Sequence, residues 1–530
     1  MYKIVYILFL VVLFGGCSSK HINTTKGTVI SKRYKHASSS LYYIADDNVS
    51  AHYPQTGFYP LTHNYDAFCA RIALIKKAIK TLDLQYFIFE QDETSIAIVQ
   101  ELLRAANRGV KIRILLDDFL QNGNDTIIAS LAKHPNIEIK LFNPTHFREF
   151  LGWIQLAFNI NTLGRRMHNK LLIADNSAVI LGGRNIENIY FAADNERIFI
   201  DDDILAVGPL SAQASNSFET YWFSPISISI EKLAQPKELY NLSEIEKQID
   251  LLIKKYKTGA YVQDVLKRKF AHYIFSNSLP LIYGDAKLYY DIPTKITASE
   301  EDTQTHLSEH LVPIVESAKK SLIIINPYFM PNKKMMQGLK KLVQKGVQIQ
   351  IVTNSLATND ATGVYAAYQP YQKQLLELGI QLYELSPYSF EYIYKNQSYR
   401  KGKIPRSSLH AKTMIIDDHI FIIGSANLDP RSIKLNTEVV AVIDSKELVH
   451  TVKQIFLKLI DPKNVYILSL KNKPKQQCIG TCIPTDGKKV IWKTQRQNTQ
   501  VEYEDNDADA GFFRRLISNF SRWIPLEKYL

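Results

Sequence analysis

The chain has 530 residues, 46% hydrophobic and 22% charged, which describes a folded protein large enough for two cores and excludes a disordered one. Its 64 Lys and Arg against 52 Asp and Glu leave a formal charge of +12, an excess that suits anionic lipid or nucleic acid without choosing between them. The cysteines Cys17, Cys69, Cys478 and Cys482 are too few for a disulfide framework.

In chain order, Lys3 precedes an apolar run, Ile4 to Phe14, too short for a comfortable membrane span, and Gly15-Gly16-Cys17-Ser18 supplies the small residues of a processing site. Residues 1–17 resemble a bacterial lipoprotein signal. That implies a lipidated Cys17 and a protein of the bacterial cell envelope, anchored to a membrane on the periplasmic face. Residues 18–60, rich in Ser, Thr, Tyr and Lys, read as a linker, with structure starting near Asp66. Phe68, Ile72, Ile75 and Ile79 recur at helical spacing, and Cys69 among them reads as a small buried apolar residue. Leu82–Ile88 reads as a strand, Ser95–Asn107 as a helix capped by Gly109, and Val110–Leu116 as the next strand. Such an alternation predicts parallel pairing.

The same order returns in the second half: Ala318-Lys319-Lys320, the strand Ile323–Ile325, a helix through Lys341, and the strand Gln348–Val352. Each half adds a short strand, Ile137–Phe142 and Ile380–Leu385, so a whole domain is duplicated. Residues 226–300 between the halves read as amphipathic helices at a substrate entrance, with Pro280 to Pro293 as the strand entry to the second half. Residues 463–530 read as an extension, in which Cys478 and Cys482 are spaced for a local disulfide. Near its end Phe513, Leu516, Phe520, Trp523 and Ile524 share a helical face flanked by Arg514, Arg515 and Arg522. That stripe suits an interfacial helix or a helix packed on the domain.

Chemistry concentrates in two colinear segments, MHNKLLIADNSAVILGGRN from Met167 and LHAKTMIIDDHIFIIGSAN from Leu409. His168, Lys170, Asp175, Gly182 and Asn185 in one match His410, Lys412, Asp417, Gly424 and Asn427 in the other. On an extended strand, residues two apart project from one face, so each His and Lys can meet one ligand. The apolar runs Thr413–Ile416 and Ile420–Ile423 around Asp417-Asp418-His419 predict a hairpin that holds the pair rigidly. Two imidazoles can share nucleophilic and acid–base work near neutrality, while two ammonium groups and two amides face phosphate oxygens. A metal centre is the competing reading, but a lysine two residues from each histidine would repel a cation.

The duplicated HxKxxxxD pattern followed by asparagine resembles the phospholipase D superfamily, and the tail GFFRRLISNFSRWIPLEKYL resembles the end of its bacterial cardiolipin synthases. The first copy has Gly183-Arg184 where the superfamily carries serine and a small residue. The resemblance implies an α/β fold of two phospholipase D-type αβα domains, at 61–225 and 301–462, with mostly parallel sheets related by a pseudo-twofold. It implies a phosphohistidine on His168 with His410 as acid and then base, although the residues alone leave the reverse assignment open. Each imidazole also needs an acceptor for its second N–H, for which Glu438 and Asp203, each downstream of its own motif, are the candidates. Asp175 and Asp417 belong to the motif but sit at the hairpin tips, where a structural salt bridge is expected rather than bond making.

The implied activity is that of a membrane phosphatidyltransferase acting on phosphatidylglycerol, with phosphatidylethanolamine a further donor, and needing no cofactor, metal or obligate protein partner. The alternatives are a hydrolytic phospholipase D releasing phosphatidic acid and, further behind, an exported nuclease. Nucleases of this superfamily are often single-motif homodimers, which disfavours nucleic acid as the substrate.

Overall fold

The computed structural model describes residues 49–120, 125–144, 164–233, 241–257, 259–299, 303, 306–389, 393, 405–472, 487–497, 499–504 and 508–521. The leader with Cys17, residues 18–48 of the linker, Cys478, Cys482 and the tail from Arg522 lie outside the described residues.

In the first half, strands Thr81–Tyr86, Lys111–Asp117 and Ile137–Phe142 pair in parallel. Helices Asn64–Lys77, Glu93–Asn107 and Asp125–Leu131 precede them in turn. The second helix starts where the Asp92 carboxylate accepts the Ser95 N–H at 3.0 Å. It stops at Gly109, whose φ of +94° suits a residue without a Cβ. The hairpin Leu171–Ala174 and Ala178–Gly182 adds antiparallel to Thr81–Tyr86, and Asp203–Val207 and Thr56–Leu61 extend the sheet.

The second half repeats this plan. Ser321–Ile325, Gln348–Asn354 and Gln381–Leu385 are parallel, and the hairpin Thr413–Ile416 and Ile420–Gly424 lies antiparallel beside them, followed by Val439–Asp444. One long strand, Ile282–Tyr290, ties the halves together: residues 282–284 pair with Thr56–Phe58 and residues 285–290 with Val439–Asp444.

Because strand side chains alternate, each sheet has two apolar faces. Leu171, Ile173, Val179 and Leu181 share a core with Ile323, Ile325, Phe421 and Ile423 of the other half. The alternate residues Leu172, Ala174 and Ile180 pack under helices of the first half, and Leu322, Ile324 and Ile422 under those of the second. The facing sides of the two sheets therefore share one core with the helices Pro209–Trp222 and Lys446–Leu459, and other helices cover the outer sides.

Three expectations are corrected. The sheets are mixed rather than mostly parallel: the hairpin strands pair antiparallel across a tight turn, which parallel strands cannot share, and the hairpin and the outer strands join the sheet antiparallel as well. Structure begins before Asp66, with Val49–His52 as a helical turn and Thr56–Leu61 as a strand. Gly57 and Pro60 hide that strand's pattern, and its order comes from pairing on both sides. Ser227–Ser229 belongs to the first sheet, beside Ile137–Phe142, and Val465–Asn472 to the second, beside Gln381–Leu385, so neither half ends where its sequence repeat does. The expected helices after residue 240 are present and bonded to the first half, where Arg268 grips Asp66 at 2.7 and 2.9 Å and Gln100 donates to Asp250 at 2.5 Å.

Candidate active site

The chain leading into each histidine is bonded to the opposite half. Arg406–Leu409 runs parallel to Arg197–Ile200, and the His410 N–H donates to the Ile200 carbonyl at 2.8 Å. Reciprocally, Met167 bridges Thr437 and the His168 N–H donates to the Thr437 carbonyl at 2.8 Å. The parallel strands hold these segments by their last residues. Asp117 accepts the Met167 N–H at 2.8 Å, and Asn354 accepts the Leu409 N–H at 2.8 Å while donating to the Leu409 carbonyl at 2.9 Å.

This exchange sets each imidazole against a carboxylate of the other half. His168 Nδ1 lies 3.1 Å from both oxygens of Glu438, and His410 Nδ1 lies 2.7 Å from Asp201. Glu438 is held in turn by the Ser425 hydroxyl at 2.5 Å and the Ser432 hydroxyl at 2.7 Å. Charge assigns the proton. Glu438 sits below its ordinary value, because His168, Lys170 and Ser425 outweigh burial, which alone would raise it. For Asp201 burial also pushes upward, but His410, Lys412 and Arg184 hold it down at about 2. Both carboxylates are therefore acceptors, each Nδ1 is the donor, and each Nε2 keeps its lone pair.

The lysines are buried beside their histidines. Lys170 Nζ donates to the His168 carbonyl at 2.6 Å and Lys412 Nζ to the His410 carbonyl at 2.5 Å. Lys412 also lies against the imidazole, 3.0 and 3.2 Å from the two ring nitrogens of His410. Burial lowers Lys170 to about 7 and Lys412 to about 8, against the pull of Glu438 on both. Burial and the Lys412 charge bring His410 down to about 4, and burial also lowers His168. Aromatic rings wall the site: Phe87 is 5.1 Å from His168, and Phe199 and Tyr190 are 4.8 and 5.1 Å from His410, centroid to centroid.

Not every expected residue reaches the imidazoles. Asp203 is not the acceptor for a histidine. It lies buried between Arg71 and Arg184, at 2.9 and 3.3 Å. The acceptor opposite His410 is Asp201, and both acceptors lie across the interface from the motif they follow. The sheet register shows why: Asp203 is opposite Gly182 while Val440 is opposite Gly424, so two residues earlier in each half stand Asp201 and Glu438. The same register explains Gly183. A Cβ there would fall 2.2 Å from Asp201 Oδ1, whereas the matching Ser425 bonds the longer Glu438. Arg184 is a framework residue, its guanidinium donating to the carbonyls of Leu61, Thr62, Tyr190 and Asp201.

Asp175 and Asp417 sit at the hairpin tips with φ of +52°. They accept backbone N–H groups: Asp175 those of Ile79, Lys80 and Thr81, and Asp417 those of Lys319, Lys320 and Ser321. They fix the entry to the first parallel strand of each half. Asn185 accepts the Ile88 N–H at 3.2 Å and donates to the Tyr190 hydroxyl at 2.9 Å, which stands 3.5 Å from His410 Nε2. The Asn427 N–H donates to Ser432 at 2.9 Å. Among the described residues no three His, Cys, Asp or Glu side chains are grouped to hold a metal ion, and no helix is long and apolar enough to cross a membrane.

Comparison with known proteins agrees with this geometry. The family described as "Cardiolipin synthase, PLD-like domain" matches twice, at residues 72–222 and 311–460. Cardiolipin synthase C of Escherichia coli strain K12 is 37% identical over 418 residues, 77% of this chain and 86% of that protein. An uncharacterized protein of Helicobacter pylori strain 26695 is 34% identical over 469 residues, 88% of each chain. Phosphatidylserine synthase of Haemophilus influenzae has the same fold, with a TM-score of 0.54 at 13% identity over 79% of this chain and 90% of that one. The chain is thus an enzyme of the phospholipase D superfamily and belongs to its cardiolipin synthase family, with two PLD-like domains.

Proposed function

We propose that the protein is a cardiolipin synthase-like phosphatidyltransferase that works through a phosphohistidine. The observation that carries this reading is the reciprocal pairing of His168 with Glu438 and His410 with Asp201, beside Lys170 and Lys412. Nε2 of His168 attacks the phosphorus of a donor phospholipid, and the bond to the headgroup alcohol breaks as His410 gives that oxygen its proton. The hydroxyl of phosphatidylglycerol then passes its proton to His410 and attacks the phosphorus. The P–N bond breaks, leaving cardiolipin and free His168. Lys170 and Lys412 face the non-bridging oxygens, where negative charge is held in the transition state. Lys412 also fits His410 for the acid role. Against the ring it keeps the imidazole neutral, and an arriving phosphodiester draws the ammonium away and favours protonation.

A lipidated Cys17 holding the site on the periplasmic face belongs to the same reading, since a tether to the substrate surface raises effective concentration. Phosphatidylglycerol, or phosphatidylethanolamine as donor, supplies the phosphatidyl group. The test is mass spectrometry of lipids from cells that lack their own cardiolipin synthases and express the chain or its His168→Ala variant. Cardiolipin that appears only with the intact histidine is the expected result. Phosphatidic acid without cardiolipin would make water the acceptor, and unchanged lipids would sink the reading.

A further inference from the structure

The last described helix, Phe512–Ser521, is seated on the domain by its polar side. Arg514 donates to the carbonyls of Leu356, Ala357 and Asn359, the first two at 3.1 and 3.2 Å, and Ser518 is buried. Just before it, Asp509 is gripped by Arg496 and by the Tyr466 hydroxyl. The opposite face is bare: Phe512, Phe513, Leu516, Ile517 and Phe520 are 74, 75, 55, 51 and 69% exposed. Five large apolar side chains on one short helix form a patch of the kind that marks an interaction surface.

The surroundings choose the partner. Arg197 and Arg406, both exposed, lie close enough to Arg514 that, after burial, their charges lower its pKa. Exposed Arg515 stands on the helix itself. Aromatic and aliphatic side chains rimmed by arginine match an anionic bilayer, with apolar groups at the acyl boundary and guanidinium groups among phosphates. The location fits as well. Arg406 opens the strand that leads into His410, and Arg514 holds Asn359, next to Asp360. That carboxylate accepts the hydroxyl of Tyr328, whose ring is edge-on to His410.

We propose that Phe512–Ser521 docks in the surface of an anionic phospholipid bilayer and sets the His410 side of the site against it. This membrane contact is separate from any lipid on Cys17. Arg514 holds the helix by backbone carbonyls, so its apolar face is presented without unfolding, and exposed Arg515, Arg197 and Arg406 make the contact selective for anionic lipid.

The test uses the full chain reconstituted with vesicles of phosphatidylethanolamine and phosphatidylglycerol. Leu516→Trp in a Trp523→Phe background places an indole on the helix, and brominated acyl chains in phosphatidylglycerol should quench it, more weakly in pure phosphatidylcholine vesicles. Phe513→Asp with Phe520→Asp should lower turnover of vesicle lipid at least tenfold, while turnover of a monomeric short-chain phospholipid stays within twofold of the parent. An unquenched indole overturns the proposal, as does equal loss on both substrates. A shift in oligomeric state of the aspartate variant with no quenching would instead assign the face to a second copy of the chain. If the parent turns over neither lipid, the phosphatidyltransferase reading falls, and quenching alone decides the docking.

Discussion

Two aspartates in the run Asp201-Asp202-Asp203 have opposite predicted roles, and exchanging each for asparagine separates them. Asp201→Asn keeps the shape of the side chain 2.7 Å from His410 Nδ1 but removes the charge that fixes the imidazole tautomer. Activity should fall on the order of 10⁴-fold, the scale for a histidine that loses its orienting carboxylate to an amide. Asp203→Asn instead leaves Arg71 and Arg184, 1% and 0% exposed, with their shared carboxylate gone. Breaking a buried ion pair from one side costs about 3–5 kcal/mol. At roughly 2.1 cal/mol/K of unfolding entropy per residue, a chain of 530 residues has an unfolding entropy of about 1.1 kcal/mol/K. The melting temperature should therefore drop by about 3–5 °C. Steady-state transfer of a fluorescent phospholipid and differential scanning fluorimetry read the two effects. Asp201→Asn within tenfold of the parent, or Asp203→Asn inactive at an unchanged melting temperature, would refute the assignment.

Other consequences can be checked the same way. In the free enzyme kcat/KM should follow a bell. Its acid limb lies below the ordinary imidazole value because burial lowers His168, the nucleophile that must be neutral, and its alkaline limb falls at about 7 to 8 as Lys170 and Lys412 lose their charge. Lys170→Arg should move the alkaline limb upward, and an unmoved limb would remove Lys170 from it. Gly183→Ser drives a Cβ into Asp201 and should cost at least 100-fold in activity, whereas Gly183→Ser with Asp201→Glu rebuilds the Ser425–Glu438 arrangement and should regain most of it. A double variant no better than the single one would show that the register match carries no function. Asp175→Ala strips three backbone N–H groups of their acceptor. It should cost about 1–3 kcal/mol in urea unfolding, while the kcat of the folded fraction stays within threefold.

How much of the site was legible depends on whether its residues are neighbours along the chain. His168 and Lys170, or His410 and Lys412, lie two apart on an extended backbone, so their shared face follows from strand geometry alone. Their hairpins could be read from apolar runs around a turn. Asp201 could not be picked out of three consecutive aspartates by spacing, because only pairing of Asp203 with Gly182, and of Arg197–Ile200 with Arg406–Leu409, decides which carboxylate reaches His410. Tyr190, Phe199 and Tyr328 are ordinary aromatic positions until the fold brings them around that ring.

By itself the sequence determined the duplication, the order of strand and helix in each half, and both His–Lys pairs, since these rest on periodicity and local spacing. Only the tertiary structure decided that each histidine takes its carboxylate from the other half, that Asp203 binds arginines, and that Ser227–Ser229 and Val465–Asn472 complete their sheets. It also decided that the arginine side of the last helix seats on the domain while its phenylalanines face outward. The physical reason is common to all four. Each is a choice among partners distant in sequence, made by backbone pairing and by which buried charge must be satisfied where, and no local pattern encodes it.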